Sequence, residues 1–457
     1  MNTGDSKRLT GEITKRIGAL AFGLGLVLLM LTGAELYVEF LLENPAACPD
    51  GLLPTVRHYY EHHDRDVFQT HKGRTHFDSD LFYAMNPGRF TFSNREFSNV
   101  FEVNSAGFRD DEISLLHPEV VVLGDSYAMG WGVDNGQTFA SLIEEGLDLS
   151  VLNTAVSSYG TAREITALSR VNTTEMDYLI IQYCPNDLTE NQNFVSGDHE
   201  LIVSGEAVYD DACAAIERKI AYFPFKHTVS ILQSALRRNR DAAPRNTLHD
   251  SNPARAIGAA AAFLDIVGGS ESIPKHTQII VFSLEAEKVD GSFIEQVTAR
   301  LDLEYGSSLH DRMTFVDLSG HLDKSHRYIL DPHLNAAGQR AVADRLLDHI
   351  AQLNRPTGFK EWSYPSGAPA ITCAYVDGLK EGLFTAFWEN GGVSRTSWYK
   401  RGARNGLETD FSRGGFKIAE RAYLEGRLHG WSTIFGDDGL IERTYYERGE
   451  IVDSVSK

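Results

Sequence analysis

The chain is short of basic residues: Lys and Arg number 43 against 63 Asp and Glu, for a formal charge of −20. A phosphate backbone needs a cationic face, so this balance argues against nucleic-acid binding. Cysteine is scarce too, with Cys48, Cys184, Cys213 and Cys373 the only four in 457 residues. That number and scatter argue against a disulfide scaffold or a zinc site, and leave room for one bridge, Cys184 to Cys213, in an oxidising compartment. Long apolar runs are absent except at one place, so at most a single membrane pass is expected. The remainder, 42% hydrophobic and 23% charged residues, is an ordinary globular composition. The length exceeds what one hydrophobic core usually serves, and two folded units are expected.

The one apolar run is at the N-terminus. Ile17 to Ala34 carries no charge and continues into Leu36-Tyr37-Val38. Lys7, Arg8, Lys15 and Arg16 precede it, and Glu35, Glu39, Glu43 and Asp50 follow. The asymmetry predicts a cytoplasmic segment 1–16 and a transmembrane signal anchor over 17–42 in the inner membrane, with everything beyond it periplasmic or extracellular. A cleaved signal peptide ending at Thr32-Gly33-Ala34 is the competing reading. The run is longer than a usual signal core, which favours retention.

Residues 43–117 read as an irregular extension with a few strands, among them Phe90-Thr-Phe92 and Val100-Phe-Glu-Val103. From 118 the pattern is regular. Buried-strand candidates are Glu119–Leu123, Val151-Leu152, Tyr178–Tyr183, Ile279–Phe282 and Phe315–Leu318, separated mostly by helical spacings. The last helix carries Val342, Leu346, Ile350 and Leu353 on one face. Strands alternating with helices over 118–353 imply an α/β domain with a mostly parallel sheet covered on both faces. Residues 185–275 read as a long polar insertion, a loop or lid. A linker is expected at 354–369, rich in proline, glycine and serine.

Beyond it, over 370–457, is an internal repeat. Tyr375-Val-Asp-Gly378, Tyr399-Lys-Arg-Gly402, Tyr423-Leu-Glu-Gly426 and Tyr446-Glu-Arg-Gly449 recur every 23 or 24 residues. Gly382, Gly406 and Gly430 follow at a fixed offset, and Phe387, Phe411 and Phe435 hold the same phase. Such a period predicts stacked β-hairpins, each burying its face on the next.

Three short segments carry chemistry. Gly124-Asp125-Ser126 follows a predicted buried strand, at the end where open α/β sheets place ligands. By itself it is ordinary turn chemistry. Asp331-Pro-His333 precedes the last helix. A serine hydroxyl needs a neutral imidazole to take its proton, and the imidazole needs a carboxylate on its other nitrogen; Asp331 is near enough in the chain to serve. Asn186, in Cys184-Pro-Asn-Asp187, again ends a predicted strand. Its amide suits a developing oxyanion, although Pro-Asn-Asp is also turn chemistry. Three other features count for less. Tyr59-Tyr-Glu-His62-His63-Asp64 offers metal ligands, but adjacent histidines on a polar stretch are more often solvated. Arg109 either faces the site or pairs with Asp110 and Asp111, and Cys184 is a thiol with no nearby base.

In order and placement the three segments resemble the SGNH (GDSL-like) hydrolases over roughly residues 100–353. The resemblance implies a flavodoxin-like sheet with helices on both faces and ester hydrolysis through an acyl-enzyme, with no metal or other cofactor. It assigns Ser126 as nucleophile, His333 as base, Asp331 as its orienting acid and Asn186 to the oxyanion hole. Where the family usually supplies a glycine N–H to that hole, counting from Asn153 arrives at Ser158. The glycine usual before the oxyanion asparagine is replaced by Cys184. The tail, about 375 to 450, resembles MORN repeats, which serve commonly as scaffolds or contact surfaces.

The expectation is an anchored esterase acting outside the cytoplasm on an acylated small molecule, glycan or lipid, with acetylated envelope carbohydrate preferred from location alone. Acyl transfer with the same triad and a non-catalytic envelope role for the repeats are the alternatives.

Overall fold

A computed structural model describes residues 3–147, 149–240, 253–284, 291–301, 309–353, 358–376, 378–436 and 439–456. Helix α1 (Thr3–Glu43) opens the chain. Its Thr14–Glu43 portion is long and apolar enough to cross a membrane. Leu20, Phe22, Leu29 and Met30 are exposed along it, whereas Glu35, Leu41 and Leu42 near its end are buried against the rest of the protein.

Next come α2 (Leu53–Tyr59) and two antiparallel hairpins. Strand β1 (Thr75–Asp78) pairs with β2 (Phe82–Met85), and β3 (Gly88–Asn94) pairs with β4 (Phe97–Val103). Strands β3 and β4 contain the expected Phe90-Thr-Phe92 and Val100-Phe-Glu-Val103 runs, and the rest of the segment is short helices, turns and the β1–β2 hairpin. Phe68, Phe92 and Phe101 pack together with ring centroids 5.1–5.6 Å apart, giving it a buried aromatic core.

The α/β unit is a five-stranded parallel sheet, ordered β6-β5-β7-β8-β9. Its strands are β5 (Val120–Leu123), β6 (Val151–Asn153), β7 (Tyr178–Tyr183), β8 (Gln278–Ser283) and β9 (Met313–Phe315). Strand periodicity of two divides β5 between two cores. Val120 and Val122 face Phe139, Ile143, Val342 and Leu346, from α4 (Phe139–Leu147) and the last helix, α11 (Ala336–Gln352). Val121 and Leu123 face Leu168, Phe263, Leu264 and Val297. These belong to α5 (Thr161–Leu168), α9 (Pro253–Gly269) and α10 (Gly291–Arg300). Burial on both faces explains why these strands are continuous apolar runs. Each such side chain contributes about 1.5–3 kcal/mol.

Three expectations are corrected. Among the described residues the insertion 185–275 carries four helices with short non-helical stretches between them: α6 (Asp187–Ser196), α7 (Glu206–Ile220), α8 (Lys226–Arg240) and α9. Only Tyr209 and Cys213 of α7 are buried, so a single narrow stripe holds it and its polar faces read as loop. The final strand is Met313–Phe315; Val316 and Leu318 are buried in the loop after it, so their hydrophobicity reports burial rather than strand. All four cysteines are free, so Cys184 and Cys213 form no bridge.

The C-terminal region is one antiparallel meander, β10 (Gly358–Ser363) to β19 (Glu450–Ser456). Its first strand lies in the stretch expected to be linker, because Phe359 to Trp362 pair in register with Ile371 to Ala374. The meander docks on the amino ends of the parallel strands. Lys380 of β12 (Leu379–Phe387) and Arg404 of β14 (Ala403–Arg404) each reach Glu119, just before β5, at 2.8 Å. Lys380 also reaches Asp177, just before β7, at 3.0 Å. The active-site candidates are at the opposite, carboxyl ends.

His276 lies beside this junction, its ring 5.3 Å from Trp362. Burial lowers its pKa from the ordinary 6.5 to about 4, the Asp177 charge opposing. Between those values the unfolded chain binds the proton more readily, so stability rises with pH there and falls as pH drops from 6.5 towards 4. Thermal melts at pH 7 and pH 4.5 are expected to show a smaller acid loss for His276→Gln than for the parent.

Candidate active site

Strand β5 ends at Gly124, whose φ of +154° is reserved for glycine; a Cβ there would lie 2.6 Å from Ala128 and 2.8 Å from Gln182. The chain then turns into the short helix α3 (Ser126–Met129), capped by Asp125, whose carboxylate accepts from Tyr127 N–H at 3.0 Å. Arg109 fixes the far end of that turn. It is buried, donates to the carbonyls of Met129 and Gly130 at 2.9 and 2.5 Å and of Val133, and lies 3.5 Å over the Phe101 ring. It thus braces the loop after Ser126, while the charges of Asp134 and Asp110 favour its cationic form.

The structure brings Ser126, His333 and Asp331 together. Ser126 Oγ is 2.7 Å from His333 Nε2, and His333 Nδ1 bonds Asp331 Oδ1. Asp331 Oδ2 accepts from Tyr60 O–H at 2.8 Å and from Trp131 Nε1–H at 3.2 Å. Trp131 also stacks on the imidazole, centroids 4.6 Å apart and planes within 13°. Burial raises the Asp331 carboxyl, but the charge and hydrogen bond of His333, with Arg65 nearby, outweigh it and hold it at about 2. It is therefore a carboxylate at neutral pH.

Asn335 caps α11, accepting from Gly338 N–H at 3.0 Å, and this anchors one end of the His333 loop. Glu96, in the turn between β3 and β4, anchors the other. Its carboxylate accepts from the backbone N–H groups of Ile329, Leu330 and Asp331 at 2.7, 2.7 and 3.0 Å.

Ser158 and Asn186 stand exposed after the carboxyl ends of β6 and β7. Ser158 has φ +63°, the left-handed conformation that glycine takes easily. Gln69 braces the strained turn, donating to Ser158 Oγ at 2.8 Å and accepting from Ser157 Oγ at 2.9 Å. Asn186 precedes α6 and lies beside Asp125. Burial raises the Asp125 carboxyl, with Tyr127 N–H, His333, Cys184 and Asn186 opposing. The Cys184 thiol is pushed far up, by burial first and then by Asp125 and Asp187, so it is no thiolate. Among the described residues no group of three or more His, Cys, Asp or Glu could hold a metal. Asp64 instead pairs with Arg95 at 2.6 Å.

Tyr60, Gln69, Glu96 and Trp131 were not among the residues singled out from the sequence. No motif marks them, since their bonds to the site span 88 to 271 residues of chain.

No family model and no curated protein matches the chain. Comparison with solved structures finds GDSL/SGNH lipolytic hydrolases and carbohydrate esterases. A putative lipolytic protein of the G-D-S-L family from Desulfitobacterium hafniense DCB-2 is 10% identical, covering 51% of this chain and 98% of that one, with a TM-score of 0.25. Phospholipase A1 from Streptomyces albidoflavus NA297 is 14% identical over 51% and 98%, TM-score 0.24. A family two carbohydrate esterase from Cellvibrio japonicus is 14% identical over 51% and 61%, TM-score 0.24. Likeness of this size leaves the chemistry to the residues themselves.

Proposed function

We propose that this chain is a membrane-anchored serine esterase of the SGNH type, with Ser126, His333 and Asp331 as its triad. The observation that carries the reading is the unbroken relay from Ser126 Oγ to His333 Nε2 at 2.7 Å and from His333 Nδ1 to Asp331. His333 takes the hydroxyl proton as Ser126 attacks an acyl carbonyl, then returns it to the departing alcohol, leaving an ester on Ser126. Water, deprotonated by the same imidazole, releases the acid and restores the serine. The N–H groups of Ser126 and Ser158 and the side-chain amide of Asn186 hold the oxyanion. Positive φ at Ser158 supports its share, because it gives a serine the backbone shape for which a glycine is usual.

The anchor is the apolar part of α1, with the catalytic and repeat regions on the periplasmic or extracellular side. That location favours acetyl esters on envelope carbohydrate as substrate. The meander, of MORN type, holds the amino ends of the parallel sheet and leaves the active-site face open.

The test uses the full chain in detergent with a fluorophosphonate probe and p-nitrophenyl acetate. The parent is expected to label at Ser126 and turn over, and Ser126→Ala to do neither. A folded parent that does neither sinks the proposal.

A further inference from the structure

The apolar helix does not end where the catalytic domain begins. Its last two turns are built into the domain. Glu35 accepts from the backbone N–H groups of His227 and Thr228, at 3.1 and 2.9 Å, in α8. Glu39 receives a two-toothed contact from Arg95, at 2.8 and 3.2 Å, and pairs with His227 at 2.7 Å. Leu41 and Leu42 form one apolar cluster with Val56, Tyr59, Tyr60 and Leu330.

Two of those partners adjoin the relay. Leu330, fully buried, directly precedes Asp331, and Tyr60 donates to the Asp331 carboxylate. Arg95 directly precedes Glu96, whose carboxylate takes three successive N–H groups of the 329–331 stretch. Arg95 is itself fixed between Glu39 and Asp64. The Asp331 backbone thus hangs from one carboxylate, and that carboxylate sits beside an arginine clamped by the helix.

The 329–331 stretch lies in no helix or strand, so these contacts replace the ladder that would otherwise hold it. Orientation of the carboxylate sets the imidazole, and a displacement of about 1 Å in such a group is enough to cost rate.

We propose that Glu96 is a positioning residue for the Asp331–His333 loop, and that Glu39 and Leu42 of the apolar helix hold it there through Arg95 and Leu330. The juxtamembrane turns of the anchor are then a working part of the catalytic centre, and the proposal rests on the esterase reading above.

The test compares the full chain in detergent with Glu96→Ala, Glu96→Gln, Glu39→Gln and Leu42→Ala. It follows the fluorophosphonate labelling rate, kcat and KM for p-nitrophenyl acetate, and the thermal midpoint. Well below each midpoint, Glu96→Ala is expected to lose about tenfold or more in kcat and labelling rate, with KM within about twofold. Glu96→Gln keeps one acceptor oxygen and is expected to fall between parent and Glu96→Ala. Glu39→Gln and Leu42→Ala should shift kcat the same way by less.

A folded Glu96→Ala or Glu96→Gln with the parent's kcat and a lowered midpoint overturns the positioning role, because a purely structural brace moves stability alone. Parental kcat in both Glu39→Gln and Leu42→Ala overturns the link to the helix. A parent with neither labelling nor turnover overturns the esterase reading, and this inference with it.

Discussion

Asp331→Asn is expected to lower kcat by about 10⁴-fold while the protein stays folded. The reason lies in the two sides of the carboxylate. One oxygen faces the donor-only Trp131 Nε1–H and the Tyr60 O–H, with the Arg65 guanidinium 3.9 Å away, so it is held as an acceptor. In the asparagine variant the amide oxygen takes that place, and the NH₂ turns towards His333 Nδ1, giving up the bond that Asp331 Oδ1 accepts from the His333 backbone N–H at 3.1 Å. An imidazole facing a donor at Nδ1 must carry its proton on Nε2, so it donates to Ser126 Oγ when it should accept. The substitution therefore fixes the wrong tautomer without emptying the site. Measuring kcat for p-nitrophenyl acetate beside the thermal midpoint checks it. A folded Asp331→Asn that keeps more than a tenth of the parent's kcat means that some other group orients the imidazole.

The parts of this site that were legible in the sequence are those where local chain geometry and chemistry coincide. Ser126 follows a four-residue strand whose side chains are all buried, and a strand buried on both faces leaves an apolar run in any sequence. His333 and Asp331 are two residues apart, so their contact is almost given by the backbone. Glu96 and Tyr60 are a different matter. They act on Asp331 across 235 and 271 residues, and no periodicity reports which distant turns meet.

Segment 185–275 looks like a polar loop in sequence for a related cause. Helices such as α7 rest on the protein by a thin stripe and expose the rest, so composition hides them. The 23- to 24-residue period predicts hairpins, but these pair edge to edge in one sheet instead of stacking face on face, because the period does not report which edges or faces meet. That the sheet would anchor itself on Glu119 and Asp177 depends on Lys380 and Arg404, which in sequence look like surface charges of any hairpin.

Those charges give the largest expected effect on stability. Glu119 and Lys380 have side chains with 0% and 1% of their surface exposed, across the contact between the meander and the parallel sheet. Besides Lys380 and Arg404, the Glu119 carboxylate accepts from Tyr399 O–H at 2.8 Å and Ser150 N–H at 3.0 Å. Burial pushes its pKa up, but the two cations more than reverse this and hold it well below the usual carboxylate range. The network extends through His117, 2.8 Å from Glu175 and 3.2 Å from Asp410, and through Arg395, 2.8 Å from Asp410.

Removing one member of a buried pair leaves its partner charged and dry, which typically costs about 3–5 kcal/mol. Glu119→Ala is expected to cost about that much, since Asp177 and Glu408 only partly replace it beside Lys380 and Arg404. The double variant Glu119→Gln with Lys380→Met removes both charges and is expected to recover much of the loss. Urea unfolding, with limited proteolysis to report release of the meander, measures both. Because the network lies at the end of the sheet away from Ser126, kcat of the folded fraction should hold at the parent's value. A drop in kcat as large as the drop in stability would instead tie the repeats to the active site.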